Sequence, residues 1–408
     1  MAYPIFEIEV NQPLPDLFFS KTDTGFAVLL RKNGRAVHFW MEPRPANNKI
    51  SAAELSRRIA EQAKDKLLSE NIRDELWPSA EKSGFPSLTV AICTKDRPEF
   101  LYRCLKSLSM LEPEAPGESK TPEILVVDNA PADSRTEDLA RSTPAVRYVC
   151  EPKPGLNFAR NRVLQEATGE LIAFLDDDVT VDPLWLQGLK EAWAENTDAA
   201  AFTGLVLPRE LATEAQIIFE WGGGFRRGFE KIRYCGQSLE GNPLYPCGAG
   251  IFGAGANMAF RKDILTELGG FDQVLDTGRP LPGGGDLDIF YRVIRAGYPL
   301  VYEPQYLVFH QHRRDIDELR RQYRSWGLGF MAFVTKSYKT DPCQRQKFRR
   351  LVLWWFKYQL VQLRRSLRKS SAVPPSMVLA ELKGGVVGLF GEYSRSAKRI
   401  DSINRLFK

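Results

Sequence analysis

The sequence lacks the features of several large protein classes. No apolar run among its 408 residues reaches the roughly 18 residues of a membrane-spanning helix, so an integral membrane protein is not expected. The first residues carry neither the basic nor the apolar region of a secretory signal. The six cysteines form no C-x-x-C pair, which favours reduced thiols in a cytoplasmic protein over a disulfide framework or a zinc site. Histidine is scarce as well, with only His38, His310 and His312.

Charge is present but unevenly distributed. The formal net charge is +5, and residues 341–408 hold 15 Lys or Arg against four Asp or Glu. Within this tail, residues 348–365 have the pattern of a Trp-rich helix flanked by basic clusters, which is typical of helices in the membrane interface. An anionic membrane surface is therefore one expected partner, with a peripheral location at its inner face. Packing of this helix on the rest of the protein is the alternative. Nucleic acid is not expected, because no base-stacking module accompanies the charge.

Composition shifts divide the chain into three regions. Residues 1–80 read as a small N-terminal module, in which two strands flank the turn signal Asn33-Gly34 and a helix follows Ser51. The sequence does not indicate what this module does. Residues 87–312 alternate between strand and helix patterns, and residues 313–408 are basic and mainly helical.

The alternating region predicts the fold class. The apolar runs 88–93, 124–128, 146–149 and 171–175 are typical of strands covered on both faces, and helical patterns separate them. The prediction is an α/β protein with a Rossmann-like, mainly parallel twisted sheet and helices on both faces. Ligands of such sheets bind at the carboxyl ends of the strands.

Three consecutive carboxylates, Asp176, Asp177 and Asp178, follow the fourth of these runs. Like charges this close repel one another, and a cation relieves the repulsion. Mg²⁺ or Mn²⁺ fits, because each takes one or two carboxylates together with phosphate oxygens. Asp128 ends a neighbouring strand and is expected to face the same crevice. A solvated loop is the alternative for the triple acid, and for Asp182 the preferred interpretation is a cap on the next helix.

Seven short motifs carry a resemblance to a known family. They are TVAICTKDR at 89–97, VVDN at 126–129, ARN at 159–161, FLDDD at 174–178, GAGANMAFR at 253–261, LGGFD at 268–272 and GDLD at 285–288. This ordered set, over about 88–310, resembles the family 2 nucleotide-sugar glycosyltransferases of GT-A-type fold. The resemblance implies a nucleotide-diphosphate-sugar donor and a divalent metal, Mn²⁺ or Mg²⁺. It also implies transfer with inversion to a hydroxyl acceptor on a glycan, a polysaccharide or a lipid-linked sugar.

The resemblance also implies roles for individual positions. It implies that Asp178 and His310 contact the metal, with His310 preferred to His312. Asp286 matches the general base that takes the acceptor proton. The donor and its nucleotide are assigned to Thr94, Arg97, Asp128, Arg160, Asp176 and Asp177. Candidates for the acceptor or its loop are Asn257, Gly285 and Asp288. Many family members have Glu-Asp where this chain has Gly285-Asp286, so an acidic neighbour of the base is missing. Asp288 either supplies that contact or caps the helix.

Parts of the sequence are also compatible with two other functions. A nucleotidyltransferase shares the fold class but needs a glycine-rich loop after the first strand, and residues 94–98 contain no glycine. A catalytically inactive nucleotide- or sugar-binding module is the second alternative, because of Gly285. The G-x-G-x-x-G match at 248–253 falls mid-chain, away from any first strand, so a dinucleotide-binding dehydrogenase is not expected.

Overall fold

A computed structural model describes residues 2–76, 84–111, 121–278 and 280–407. The N-terminal module contains five strands and one long helix: β1 (Ile5–Glu9), β2 (Leu17–Phe18), β3 (Gly25–Lys32), β4 (Arg35–Pro43), β5 (Lys49–Ile50) and α1 (Ala52–Leu76). The predicted hairpin is present: β3 and β4 pair antiparallel around Asn33 and Gly34, whose φ angles of 53° and 77° suit a tight turn. The predicted helix start is also present, since the Ser51 hydroxyl accepts a bond from the Glu54 backbone N–H at 3.3 Å.

Strands and helices alternate through the central region. In chain order they are β6 (Leu88–Thr94), α2 (Pro98–Ser109), β7 (Glu123–Asn129), α3 (Arg135–Ser142), β8 (Val146–Glu151), α4 (Leu156–Glu166), β9 (Leu171–Asp176), β10 (Val179–Val181), α5 (Trp185–Glu195), β11 (Ala201–Pro208), α6 (Glu214–Trp221), β12 (Ile232–Tyr234), β13 (Asn257–Arg261), α7 (Lys262–Glu267), α8 (Gly285–Arg295) and β14 (Leu300–His310).

These strands form one large sheet in the order β10-β14-β11-β13-β9-β6-β7-β8, with β12 beside β14. The strands β9, β6, β7 and β8 are mutually parallel, and so are β11 and β14. The strand β13 runs antiparallel between β9 and β11. Apolar residues cover both faces of the sheet and form two clusters of buried side chains. The prediction of an α/β, mainly parallel sheet is confirmed.

Four helices form the C-terminal region, as predicted: α9 (Ile316–Thr340), α10 (Arg345–Leu367), α11 (Pro375–Val387) and α12 (Tyr393–Leu406). Glycine lets α9 and α11 cross at close range, because a Cβ on Gly327 would lie 2.0 Å from the Glu381 carbonyl oxygen. In the same way, a Cβ on Gly284, in the loop before α8, would lie 2.6 Å from the carbonyl oxygen of Gly329 in α9. None of the helices in the described ranges is both long enough and apolar enough to span a bilayer.

The N-terminal module is joined to the large sheet through polar contacts. The Arg31 guanidinium lies 2.6 Å from the buried carboxylate of Asp182, which precedes α5. Arg35 forms an ion pair with Glu191 on the same helix. The Gln305 side chain of β14 exchanges two hydrogen bonds with the backbone of Ala36, at 2.8 and 3.1 Å. The edge of β4 is therefore tied to the strand that carries His310.

Candidate active site

The register of the parallel strands brings three motifs to one edge of the sheet. Thr94, the last residue of β6, pairs with Asp128 on β7, while Cys93 pairs with Asp176 on β9. The Thr94 hydroxyl donates a 2.7 Å hydrogen bond to Asp177. The carboxyl ends of β6, β7 and β9 therefore place the predicted acids side by side, as parallel pairing requires.

Arg97 bridges two of the three consecutive acids. Its guanidinium forms an ion pair with Asp177 and donates a 3.1 Å hydrogen bond to Asp178 Oδ2. Because Asp177 also accepts from Thr94, both of its oxygens are engaged by protein groups. Asp177 thus ties the loop after β6 to the triple acid.

Asp178 and His310 face one another. His310 Nε2 lies 3.3 Å from Asp178 Oδ1, a buried oxygen without a hydrogen-bond donor. Neighbouring ligands of an octahedral ion with bonds of about 2.1 Å are separated by about 3 Å, so the pair suits one Mg²⁺ or Mn²⁺ ion. A lone carboxylate oxygen opposite an imidazole nitrogen is a suitable donor set for such an ion. The residues that the sequence assigned to the metal are therefore brought together.

The described residues contain no group of three or more His, Cys, Asp or Glu side chains arranged as a ready metal site. Two protein ligands are nevertheless what a hard divalent ion commonly takes when phosphate oxygens and water complete its coordination. This pair therefore fits a cation that binds together with a diphosphate better than one that is permanently held.

Burial and neighbouring charges shift the pKa values of the three acids in different directions. Burial raises the pKa of Asp177 to about 7, opposed by Arg97. Burial, reinforced by the charge of Asp178, also raises the pKa of Asp176. Burial acts on Asp178 as well, but His310, Arg97 and Arg313 outweigh it and hold the pKa of that carboxyl below its usual range. Asp178 is therefore the carboxylate that stays ionised, as a metal ligand must.

Asp128 lies one strand further along the same edge. It is fully buried, and its Oδ2 accepts a 3.2 Å hydrogen bond from the Tyr148 hydroxyl, whereas Oδ1 has no partner. Burial raises the pKa of Asp128 to about 6, against the effect of the Tyr148 bond. A buried acceptor without a donor is costly, and a donor on a bound nucleotide would satisfy it.

Arg160 and Asp286 flank one glycine. A Cβ on Gly255 would lie 3.2 Å from both the Arg160 Nη2 and the Asp286 Cβ. The Asp286 carboxylate accepts backbone N–H bonds from Gly255 at 3.1 Å and from Leu287 at 2.8 Å. These bonds hold the carboxylate at the start of α8, where Gly284 with a φ of 95° turns the chain into the helix. Arg160 also acts electrostatically on Asp176, which links this end of the site to the triple acid.

One acid of the site was missed from the sequence. Asp276 lies in the loop before α8, where its Oδ2 accepts a 2.9 Å hydrogen bond from the Gly285 N–H and lies 3.4 Å from Arg160. Burial raises the pKa of Asp276 to about 6, opposed by Arg160 and reinforced by Asp286. An acidic neighbour of Asp286 is therefore present, and the loop that precedes α8 supplies it. No sequence motif marks this residue.

Two predicted acceptor candidates are used by the framework instead. The Asn257 amide donates to the Tyr306 carbonyl at 2.6 Å and accepts from the Trp185 indole at 3.1 Å. The buried Asp288 carboxylate is paired with Arg292 and Lys336. Both side chains are fully buried, so the structure gives them packing roles, because their polar atoms already have partners. Gly285, the third candidate, contributes its backbone N–H to Asp276.

Comparison with known proteins is consistent with this geometry. Residues 89–268 match the model of the glycosyl transferase family 2. The matched segment contains Thr94, Asp128, Arg160 and the triple acid, whereas Asp286 and His310 lie beyond its end.

Several curated proteins are similar over part of the chain. A pre-mycofactocin glycosyltransferase of Mycobacterium tuberculosis is 28% identical over 262 residues, covering 62% of this chain and 49% of that protein. A glucosyl-dolichyl phosphate glucuronosyltransferase of Haloferax volcanii is 28% identical, with 38% and 47% covered. The succinoglycan biosynthesis protein ExoM of Rhizobium meliloti is 30% identical, with 53% and 64% covered. The chain thus spans about half the length of the first two of these relatives.

Among solved structures, a mannosyltransferase from Pyrobaculum calidifontis, determined with GDP-Man and Mn²⁺, superposes with a TM-score of 0.50 at 15% identity. The match covers 79% of this chain and 94% of that one, and it shows a shared fold. The family model, the curated relatives and the sheet topology agree on one assignment. Residues 89–268 therefore match glycosyl transferase family 2, and the chain has a GT-A-type fold.

Proposed function

We propose that this protein transfers a sugar from a nucleotide-diphosphate-sugar donor to a hydroxyl group of a glycan, polysaccharide or lipid-linked acceptor, with inversion at the anomeric carbon. One observation carries the proposal: Asp178 faces His310 at the carboxyl edge of the sheet, and Asp286 is held at the start of α8 beside Arg160. The positive charge of Arg160 opposes the rise in the pKa of Asp176, the first of the three acids.

The donor half of the site binds the leaving group. Asp178 and His310 would hold Mn²⁺ or Mg²⁺, which neutralises charge on a diphosphate as the bond to the sugar breaks. Arg97 and Arg160 place further positive charge on the same side, and the unpartnered Oδ1 of Asp128 offers an acceptor to the nucleoside. Charge that develops on the leaving diphosphate is then met by groups that are already in place.

The acceptor half of the site removes a proton. Two backbone N–H bonds orient the Asp286 carboxylate, so little reorganisation is needed when it takes the proton of an acceptor hydroxyl. Its attachment to the first turn of α8 keeps it fixed relative to Arg160. Direct displacement with a base on the acceptor side gives inversion.

The test is turnover of candidate donors by the full chain. A panel of UDP- and GDP-sugars is incubated with Mn²⁺, and release of nucleoside diphosphate is followed by chromatography, with and without a chelator. We expect release with one donor class, loss of release on chelation, and recovery on addition of Mn²⁺.

The Asp286→Asn variant tests the assigned base. Loss of general-base catalysis costs about 10²- to 10⁴-fold in rate, while calorimetric binding of the matching nucleoside diphosphate stays unchanged. Asp317→Asn is the matched control, because Asp317 holds the second position of α9, as Asp286 does in α8, and its side chain is 65% exposed. Binding without any turnover in the wild type would support the inactive binding module instead. Unreduced turnover in Asp286→Asn would exclude Asp286 as the base.

We further propose that α10 attaches the enzyme to an anionic membrane surface. Residues 342–380 contain nine Lys or Arg and no Asp or Glu. Phe348, Leu351 and Trp355 face the protein, whereas the opposite side exposes Leu353 at 72%, Leu360 at 60% and Trp354 at 49%. Exposed apolar side chains interleaved with cations are the composition of interfacial helices.

Flotation with vesicles tests this attachment. Wild-type protein should float with vesicles that contain anionic lipid and much less with neutral ones, because each cation near the surface contributes about 1 kcal/mol. Leu353→Glu and Arg364→Glu should each reduce flotation. The controls Leu68→Glu and Lys64→Glu change exposed residues of α1 and should leave it intact. Equal flotation of all four variants would contradict a role for α10.

A further inference from the structure

A row of four buried side chains extends from the candidate metal site into the protein. His310 Nδ1 lies 2.9 Å from His312 Nδ1, and His312 Nε2 lies 2.8 Å from Glu220 Oε1. At the other end, His310 Nε2 lies 3.3 Å from Asp178. The proposed function uses only Asp178 and His310, so the role of the two inner residues is open.

The two imidazole rings are held tightly in this row. The alternation of β14 and the residues after it places His310 and His312 on one side of the chain, with Gln311 reaching Glu210 at 2.8 Å on the other. Phe219 lies 4.6 Å from the His312 ring and Phe225 lies 5.1 Å from the His310 ring, as edge contacts. Both imidazoles are therefore fixed in orientation by packing as well as by hydrogen bonds.

Glu220 is itself fixed. Arg226 Nε lies 3.1 Å from Glu220 Oε2, and the Arg226 side chain also donates to the Glu220 carbonyl at 3.1 Å. A Cβ on Gly224 would lie 2.2 Å from Glu220 Oε1, so the glycine leaves the space that this carboxylate occupies. Arg226 therefore supplies the counter-charge to the buried Glu220 carboxylate, and a carboxylate only accepts hydrogen bonds.

The order of donors and acceptors then follows for neutral imidazoles. Ionised Glu220 requires the proton of His312 to be on Nε2, which leaves His312 Nδ1 as an acceptor. That acceptor requires the proton of His310 to be on Nδ1. The lone pair of His310 Nε2 therefore points towards Asp178. The reverse order would place a hydrogen between His310 and Asp178 and would block a cation.

We infer that Glu220 and His312 are positioning residues that hold His310 in the tautomer able to bind a metal ion. The inference rests on the proposed metal role of Asp178 and His310. Partners of this kind behind a metal-binding histidine typically change metal affinity about 10- to 100-fold. The ligand class is a divalent cation, and the residues act on it through His310.

Binding of Mn²⁺ alone to the full chain is measured from the free-ion signal in electron paramagnetic resonance. His312→Phe removes the acceptor for His310 Nδ1 and should weaken Mn²⁺ binding about 10- to 100-fold. His312→Asn keeps an oxygen near the position of Nδ1 and should stay within about threefold of the wild type. His38→Phe changes the one histidine outside the row and is the control.

Nitrogen-15 spectra of the imidazoles in the metal-free wild type give a second readout that needs no variant to fold. With three histidines in the chain, the signals are few, and we expect protonated Nδ1 in His310 and protonated Nε2 in His312. An unprotonated Nδ1 in His310, or unchanged Mn²⁺ affinity in His312→Phe, would overturn the inference and leave the proposed function standing. Absence of Mn²⁺ binding by the wild type, both alone and with UDP or GDP present, would overturn both.

Discussion

The carboxylate of Asp276 occupies the space in which a side chain on Gly285 would begin. A Cβ on Gly285 would lie 2.2 Å from Asp276 Oδ2 and 2.4 Å from the Asn157 amide nitrogen. The glycine before the proposed base is therefore accompanied by an acid from the loop that leads into α8. The carboxylate near Asp286 is retained, but its place of attachment differs.

Gly285→Ala should displace Asp276 and lower the free energy of unfolding by about 1–3 kcal/mol, because overpacking forces neighbouring groups to shift. In Asp276→Ala the obstructing carboxylate is gone, so adding Gly285→Ala should cost less than it does in the wild type. A double-mutant cycle by chemical denaturation should give a coupling of at least about 0.5 kcal/mol. Strict additivity would show that the two positions are independent.

Asp128 should make stability depend on pH. Burial raises the pKa of Asp128 to about 6, so the folded state binds this proton more tightly than the unfolded state does. The carboxyl therefore contributes stability below its unfolded pKa, near 4, and this contribution is lost as the pH rises through about 6. Asp128→Asn does not titrate and should gain about 1–3 kcal/mol over the wild type between pH 4 and pH 8. Denaturation at both pH values measures this gain, and an equal difference at both would contradict it.

The ion pair between Arg31 and Asp182 should be important for the junction of the N-terminal module. Asp182 is buried, and its Oδ1 accepts the Leu184 N–H at 2.9 Å in the turn before α5, whose N-cap is Leu184 rather than the predicted Asp182. Arg31→Ala leaves that charge buried and unpaired, which should cost about 3–5 kcal/mol. Arg57→Ala, on the exposed face of α1, should cost less than about 1 kcal/mol. Thermal unfolding compares the two, and equal losses would contradict the prediction.

Asn257 should matter for stability. Asn257→Ala leaves the Trp185 indole N–H and the Tyr306 carbonyl without partners in the core, at a cost of about 2–4 kcal/mol. The matched change Asn71→Ala, on the exposed surface of α1, should be neutral within about 0.5 kcal/mol. Both are measured by denaturant titration. A stable Asn257→Ala protein with a weaker acceptor interaction would instead favour the original assignment to the acceptor.

Local signals in the sequence predicted much of the fold. Strand ends such as Asp128 and Asp176, and the turn at Asn33 and Gly34, are marked by apolar runs and by turn residues next to them. The direction of β13 was not predictable, because an apolar run reads the same in a parallel or an antiparallel strand. The mainly parallel arrangement was predictable because helices separate the strands.

The inner residues of the site were beyond prediction for a different reason. Glu220 is 92 positions from His312, and Asp276 is 116 positions from Arg160. No periodicity connects residues that meet only through tertiary packing. Short motifs located the groups proposed to touch the donor, the metal and the acceptor proton, whereas the groups that hold these residues in place became visible only with the fold.

The position of β14 limits how the protein can be divided. This strand lies inside the sheet, between β10 and β11, and carries His310, yet it is outside the segment 89–268 that the family model matches. A gene fragment cut at those limits would encode a sheet with an interior gap and newly exposed strand edges, which are prone to intermolecular pairing. Recombinant work on this protein therefore requires boundaries drawn beyond β14 rather than at the limits of the family match.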